Sequence, residues 1–412
     1  MILFFLTSGL FLGWSLGAND ASHIFGSAVG SKMVSFRRAA VIASVFFILG
    51  AVIRGSGTSH TLEKLGSVNA IGGSFTVALA AAITIYMMTK FALPISTTQA
   101  IVGAIIGWNF FTGNKTDSST LSTILLSWVA GPLIGALFAV LLYLVVKRIK
   151  TRLQIHIIRF ESIIKTSLVV VGAFGSYSLG ANNIANVMGV FLPSFQLEDL
   201  KIGFVVLSSN QQLFLLGGLA IATGIITYSW KVMDTIGSNI LELSSEAALV
   251  VVLAESLVLF IFSSSTLSDF FVSMGFPPIP MVPVSSSQVI IGCILGIGLY
   301  KGARNINFRV LGEIGAAWVI SPLASGLLTF LLLFFMKNIF NIEVGGIANP
   351  ASPATINSAI AGSGEQISGI VRYLFLSILV FGAAGIWYYL LLDYRKKSGL
   401  KKSEEHFWIN LK

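Results

Sequence analysis

The chain has little of what soluble catalysts are built from. Cys293 is the only cysteine in 412 residues, which excludes an intrachain disulfide and a cysteine-built metal site. No Ser/His/Asp set, no cluster of metal ligands and no Gly-Lys-Ser/Thr phosphate loop can be read along it, so a transporter rather than an enzyme is expected. Charged residues make up 10% of the chain, against roughly 25% in ordinary soluble domains. The first 13 residues lack a basic n-region and a small-residue cleavage site, so they read as a first membrane span and not as a signal peptide.

What is there is apolar. Hydrophobic residues account for 55% of the sequence and the mean hydropathy is +0.87. Runs able to supply the ~20 residues of a membrane span recur as far as Leu392. The net charge of +9 falls in clusters at run ends rather than along a helix face, with no nucleic-acid motif beside it. The clusters are Lys32, Arg37 and Arg38; residues 147–165, with Lys147, Arg148, Lys150, Arg152, Arg159 and Lys165; Lys301, Arg304 and Arg309; and residues 395–402.

Placing all four clusters in the cytoplasm gives consistent crossings. From an outside N-terminus, runs near 2–30, 38–56, 70–91, 93–111 and 121–146 cross five times, with 93–111 short enough to be a re-entrant hairpin. Runs near 166–190, 204–230, 242–262, 282–299 and 310–337 cross five times more, and a last run, 372–393, returns to a cytoplasmic basic tail. Residues 149–165 mix basic and apolar side chains and read as an amphipathic linker at headgroup level.

Two polar segments interrupt the runs, and both recur. Ser15-Leu16-Gly17-Ala18-Asn19-Asp20 is answered 163 residues on by Ser178-Leu179-Gly180-Ala181-Asn182-Asn183. Pro94-Ile95-Ser96-Thr97-Thr98-Gln99 is answered 189 residues on by Pro283-Val284-Ser285-Ser286-Ser287-Gln288, and Trp128 and Pro132 are echoed by Trp318 and Pro322. Three anchors in one order indicate a duplication. The growth of the offset places extra residues of the second copy near 191–202 and 263–281.

With an odd number of crossings per copy, the copies lie in opposite orientation. The fold class is an all-α polytopic membrane protein of two inverted-topology repeats of about five segments each plus a C-terminal span, with broken or re-entrant helices at the midplane. The divisions are 1–148 (first repeat), 149–165 (linker), 166–340 (second repeat) and 341–412 (outer loop, last span and tail).

Gly17 and Gly180 permit the backbone beside Asn19, Asp20, Asn182 and Asn183 to unwind, which is tolerated at membrane depth only where it lines a polar cavity. An ionisable residue there is a functional candidate, since it costs at least about 2.5 kcal/mol to insert. Ser96 to Gln99 and Ser285 to Gln288 match capping boxes. A helix start in a low-dielectric setting offers free N–H groups to an anion, and the neighbouring hydroxyls add donors. Two such ends converging from inverted repeats suit a tetrahedral oxyanion.

No Lys or Arg stands near these motifs, so hydroxyls, amides, helix ends and bound cations must meet the anion's charge. Hard cations take oxygen ligands, which favours cation symport over an anion channel. Drawing one negative charge inward against the membrane potential costs about 2.3 kcal/mol per 100 mV, which two monovalent cations would offset. Glu246 and Glu255 lie within run 242–262 and Glu242 at its edge; Glu246 is the one expected to face the cavity. His23, a lone histidine, is left off the site.

At these residues the sequence resembles the inorganic phosphate transporter (PiT) family, sodium- or proton-coupled phosphate symporters, over roughly residues 5–337. The resemblance is carried by Gly17-Ala18-Asn19-Asp20 with Phe25-Gly26 and Val29-Gly30-Ser31-Lys32, by Gly180 to Asn186, and by the two Pro-x-Ser-x-x-Gln segments. It implies uptake of inorganic phosphate with sodium by a homodimer in the plasma (inner) membrane, with no cofactor beyond the coupling ions. Phosphate is then expected on Asp20, Ser96, Thr97, Thr98, Gln99, Asn183, Ser285, Ser286, Ser287 and Gln288. Sodium is expected on Asn19, Asp20, Asn182, Ser96, Ser285 and Glu246. The chain departs from the family in having Asn183 where both copies usually carry Asp, Gln99 and Gln288 where His is frequent, and Phe47 at a commonly acidic position. Proton coupling, or another oxyanion such as sulfate, remains open.

Overall fold

The computed structural model describes residues 2–90, 95–153, 156–195, 197–202, 205–230, 233, 244–302 and 307–346. Contacts divide the chain into 1–348 and 349–412. The second unit, with the last run and the basic tail, lies outside the described residues, as do Pro94, Glu242 and Arg304.

Among the described residues there are twelve α-helices and one small hairpin. The helices are α1 (Ile2–Gly30), α2 (Phe36–Arg54), α3 (Ser56–Leu65), α4 (Ile71–Lys90), α5 (Thr97–Thr112) and α6 (Ser118–Leu153), then α7 (Ile157–Met188), α8 (Ser209–Thr227), α9 (Ser245–Ser263), α10 (Ser265–Ser273), α11 (Ser286–Tyr300) and α12 (Phe308–Asn338). β1 (Leu200–Ile202) and β2 (Val205–Leu207) pair antiparallel. Seven helices, α2, α4, α6, α7, α8, α9 and α12, are long and apolar enough to cross a membrane.

Local chemistry sets the helix starts. At α8 the Ser208 side chain accepts from the Gln211 N–H while the Gln211 side chain reaches back to Ser208, a complete capping box. α5 ends at Gly113, whose φ of 74° closes the helix in the left-handed region. α5 and α11 have 16 and 15 residues, so at 1.5 Å per residue they reach about 24 Å or less, short of the ~30 Å hydrocarbon core. Of the two stretches expected to hold the second copy's extra residues, 191–202 takes in β1 but not β2, and 263–281 takes in α10. Helix also occupies most of residues 149–165, since α6 runs to Leu153 and α7 begins at Ile157.

The helices pack reciprocally. α1 lies against α8 as α7 lies against α2; α5 against α12 as α11 against α6; α1 against α4 as α7 against α9; and α4 against α12 as α9 against α6. Most of these contacts join one half of the sequence to the other, so neither half packs by itself. α4 and α9 are the most enclosed of the spanning helices, with 67% and 61% of their apolar windows buried. α6 and α12 turn Leu126, Leu133, Leu323 and Leu327 outward, the composition of a lipid-facing surface.

One sequence expectation fails here. α1 and α7 run unbroken through Gly17 and Gly180, so the backbone is not unwound at the Asn-rich motifs. These glycines serve close packing: a Cβ built on Gly17 would collide with the Ile221 carbonyl, and one on Gly180 with the Phe47 carbonyl. Small residues of this kind let membrane helices approach backbone to backbone. The breaks in helix lie instead just before α5 and α11.

Candidate functional site

α1 and α7 carry the Asn-rich motifs, and the starts of α5 and α11 meet them. Ser96 and Ser285 are extended N-cap residues whose hydroxyls accept from the backbone N–H of Gln99 and Gln288, at 3.2 and 3.3 Å. An asparagine holds the residue before each cap. Asn19 Nδ2 donates to the Ile95 carbonyl at 3.3 Å. Asn182 Nδ2 donates to the Val284 carbonyl at 2.7 Å, and its Oδ1 accepts from the Val284 N–H at 2.9 Å. The residues ahead of both helices are thus fixed by the same device, and the first turns of both keep N–H groups with no partner inside the helix.

Asp20 is the hub. Its Oδ1 accepts from Asn19 Nδ2 at 2.8 Å. Its Oδ2 accepts from Asn183 Nδ2 at 2.6 Å, from Thr97 Oγ1 at 3.3 Å and from Ser286 Oγ at 3.3 Å. One carboxylate therefore ties α1 to α5, α7 and α11. Asn182 Nδ2 donates to Asn183 Oδ1 at 2.6 Å, and Ser285 Oγ lies 3.2 Å from Ser287 Oγ. Every one of these side chains is buried, Asp20 to 1% exposure.

Of the residues picked from sequence, Asn19, Asp20, Asn182, Asn183, Thr97 and Ser286 join the network directly, while Ser96, Ser285 and Ser287 make hydrogen bonds only within the starts of α5 and α11. Thr98 accepts separately from Asn186 Nδ2 at 3.0 Å. Gln99 and Gln288 are buried in the first turns of α5 and α11. Glu246 is not brought here: it stands in the first turn of α9 and pairs with Lys150 at 3.0 Å. A helix start favours an acidic side chain, and a lysine lies in reach, which accounts for its position.

Three further buried polar residues stand on α7, α9 and α1. Asn186 bridges the halves through Thr98. Glu255, on α9, is fully buried with both carboxyl oxygens unpartnered, within electrostatic reach of Asp20. His23 is 1% exposed with both ring nitrogens unpartnered. An acid in the middle of an apolar run was a legible signal for Glu255; for Asn186 and His23 the signal was their shared 163-residue offset.

Four amide oxygens here also lack a donor: Asn19 Oδ1, Asn186 Oδ1, Gln99 Oε1 and Gln288 Oε1. Buried acceptors without donors are costly, and oxygens of this kind suit a hard monovalent cation. Among the described residues no three His, Cys, Asp or Glu side chains gather as a transition-metal site would require. The arrangement thus offers hydroxyls and helix N–H groups to an anion, and a carboxylate with amide oxygens to cations.

The model of the phosphate transporter family matches residues 16–329 and 279–410. A protein named as a phosphate permease from Thermococcus kodakarensis is 25% identical, the match covering 81% of this chain and 98% of that one. Another from Methanocaldococcus jannaschii is 26% identical over 79% of this chain and 95% of its own. A solved structure titled "The sodium-dependent phosphate transporter" superposes with a TM-score of 0.64 at 22% identity, covering 81% of this chain and 99% of that one, and it shares the fold. With a family match spanning both polar motifs and both capped half-length helices, the chain belongs to the phosphate transporter family.

Proposed function

We propose that the chain is a secondary symporter that imports inorganic phosphate with sodium across the plasma membrane by alternating access. The observation that carries this reading is the hub at Asp20, where one buried carboxylate takes hydroxyl donors from the starts of two opposed helices, Thr97 of α5 and Ser286 of α11. Phosphate oxygens take the free N–H groups and hydroxyls of Thr97, Thr98, Ser286 and Ser287, with Asn183, Ser96, Ser285, Gln99 and Gln288 around them. Sodium takes Asp20 and the donorless oxygens of Asn19, Gln99, Asn186 and Gln288, with Asn182, Ser96 and Ser285 shaping the site.

Reciprocal packing of the halves supports an inverted-repeat architecture, which lets one site face either side in turn. The basic clusters support an outside N-terminus and a cytoplasmic C-terminus. The homodimer rests on family resemblance alone. The chemistry is movement of ions, with no covalent step and no resident cofactor.

The test is uptake of labelled phosphate into proteoliposomes under an imposed sodium gradient or, separately, a proton gradient, for the native chain and Asp20→Asn. Sodium-driven accumulation that Asp20→Asn lowers at least about a hundredfold supports the reading, because the substitution removes the charge that attracts the cation. Accumulation driven by protons alone replaces the coupling ion and leaves the site. Equal competition by sulfate defeats the choice of phosphate, and steady current without either gradient defeats symport in favour of a channel.

A further inference from the structure

We infer that His23 is a substrate-contacting residue, the counterpart of Asn186 at the opposite rim of the anion site, where its imidazole hydrogen-bonds a protonated oxyanion beside Ser287. The inference rests on the phosphate-symport reading above and adds to it a residue that decides which oxyanion is held.

Three observations place it. The offset that pairs Asn19 with Asn182 and Asp20 with Asn183 pairs His23 with Asn186, and the offset that pairs the two helix caps pairs Thr98 with Ser287. In the structure Asn186 donates to Thr98 at the start of α5. α7 touches α5, and α1 touches α11 in the reciprocal contact, so the position that mirrors Asn186 is the one occupied by His23. On α1 it stands three residues after Asp20 and four after Asn19, which puts it on the same helix face.

The second observation is burial without a partner. His23 is 1% exposed, and neither Nδ1 nor Nε2 makes a hydrogen bond. Buried polar atoms are normally satisfied, so two unpartnered nitrogens on one buried side chain call for a partner. Asn186 in the same place spends its amide on Thr98; His23 keeps both nitrogens free.

The third is chemical. A neutral imidazole is one donor and one acceptor. Hydrogen phosphate and dihydrogen phosphate are both at once, having unprotonated oxygens and a P–OH. Sulfate at neutral pH presents acceptors only, and so leaves the imidazole's lone pair unmatched. A site with a buried group that needs a donor rejects the isostere that lacks one.

The experiment uses the full chain in proteoliposomes under a sodium gradient. With the native protein, diethylpyrocarbonate modification is followed at each of the four histidines by mass spectrometry, with and without phosphate, and sulfate as the control anion. Phosphate is expected to slow reaction at His23 by about fivefold or more, as for a group held in a hydrogen bond. Reaction at His60 and His156 is expected to be unmoved, and sulfate to protect none of them. His23 reacting equally with and without phosphate, or never reacting, overturns the inference, because a residue of the transport site must meet water in one state.

In parallel, His23→Leu is expected to raise the phosphate KM about tenfold, and His23→Asn to stay within about threefold of native. A native KM in His23→Leu overturns the inference. If the native protein itself moves no phosphate, the functional reading has failed instead, and the two failures are told apart in one assay.

Discussion

The two halves of the site differ in what they charge, not in how they are held. In both, an asparagine of the long helix pins the residue ahead of a serine-capped short helix: Asn19 on Ile95, Asn182 on Val284. In both, a glycine two residues before that asparagine lies against a carbonyl of the other half. Beyond the scaffold the halves part. The α1 side carries Asp20 and His23 where the α7 side carries Asn183 and Asn186. The two halves thus share a frame of reciprocal contacts, and the ionisable residues of the two Asn-rich motifs stand on one side of it, with Glu255 of α9 buried nearby. Under the symport reading, an asymmetric charge in such a frame would give two cations sites of different strength.

The comparison is broken most strongly by restoring symmetry. Asn183→Asp replaces the donor 2.6 Å from Asp20 with a second negative charge, and it should raise the phosphate KM about tenfold or more. Combining it with Asp20→Asn moves the carboxylate of the Asn-rich motifs across the frame. That double variant should recover part of the uptake that Asp20→Asn alone abolishes, because the two sites couple strongly and their effects do not add. Recovery no better than in the single variant would mean that the halves are not equivalent as frames.

Packing gives a smaller, two-sided test. Gly17→Ala and Gly180→Ala each push a methyl group at a backbone carbonyl, and each should lower stability by about 1–3 kcal/mol, read as thermal unfolding in detergent. A large difference between the two would show that only one crossing is tight. The smallest effect belongs to Glu246→Gln. Its partner Lys150 is half exposed, and such pairs contribute about 0–1 kcal/mol, so the sodium dependence of uptake should shift less than about twofold.

Much of the site could be read from sequence because polar residues inside apolar runs are conspicuous. Asp20, the asparagines and both hydroxyl clusters converge in the structure. Glu246, picked as the acid facing the cavity, stands instead in the first turn of α9 against Lys150; hydropathy does not mark a helix start to within a turn. Glu255, in the middle of the same run, is the acid that lies buried near Asp20. His23 was dismissed by weighing it as a lone histidine, when the repeat offset sets it opposite an asparagine. α3, α10 and the hairpin were missed because short polar elements carry no long apolar run. The intertwining of the halves was invisible as well: an offset says which residues correspond, not which half they pack on.

Thr97 and Ser286 direct their hydroxyl hydrogens at Asp20, and those are the hydrogens an arriving phosphate needs. A positive ion that binds the carboxylate releases both hydroxyls to turn toward the substrate. Under the symport reading, loading is therefore ordered: the cation arrives first and phosphate second, so the association rate of phosphate rises with sodium concentration while its escape from the loaded site does not.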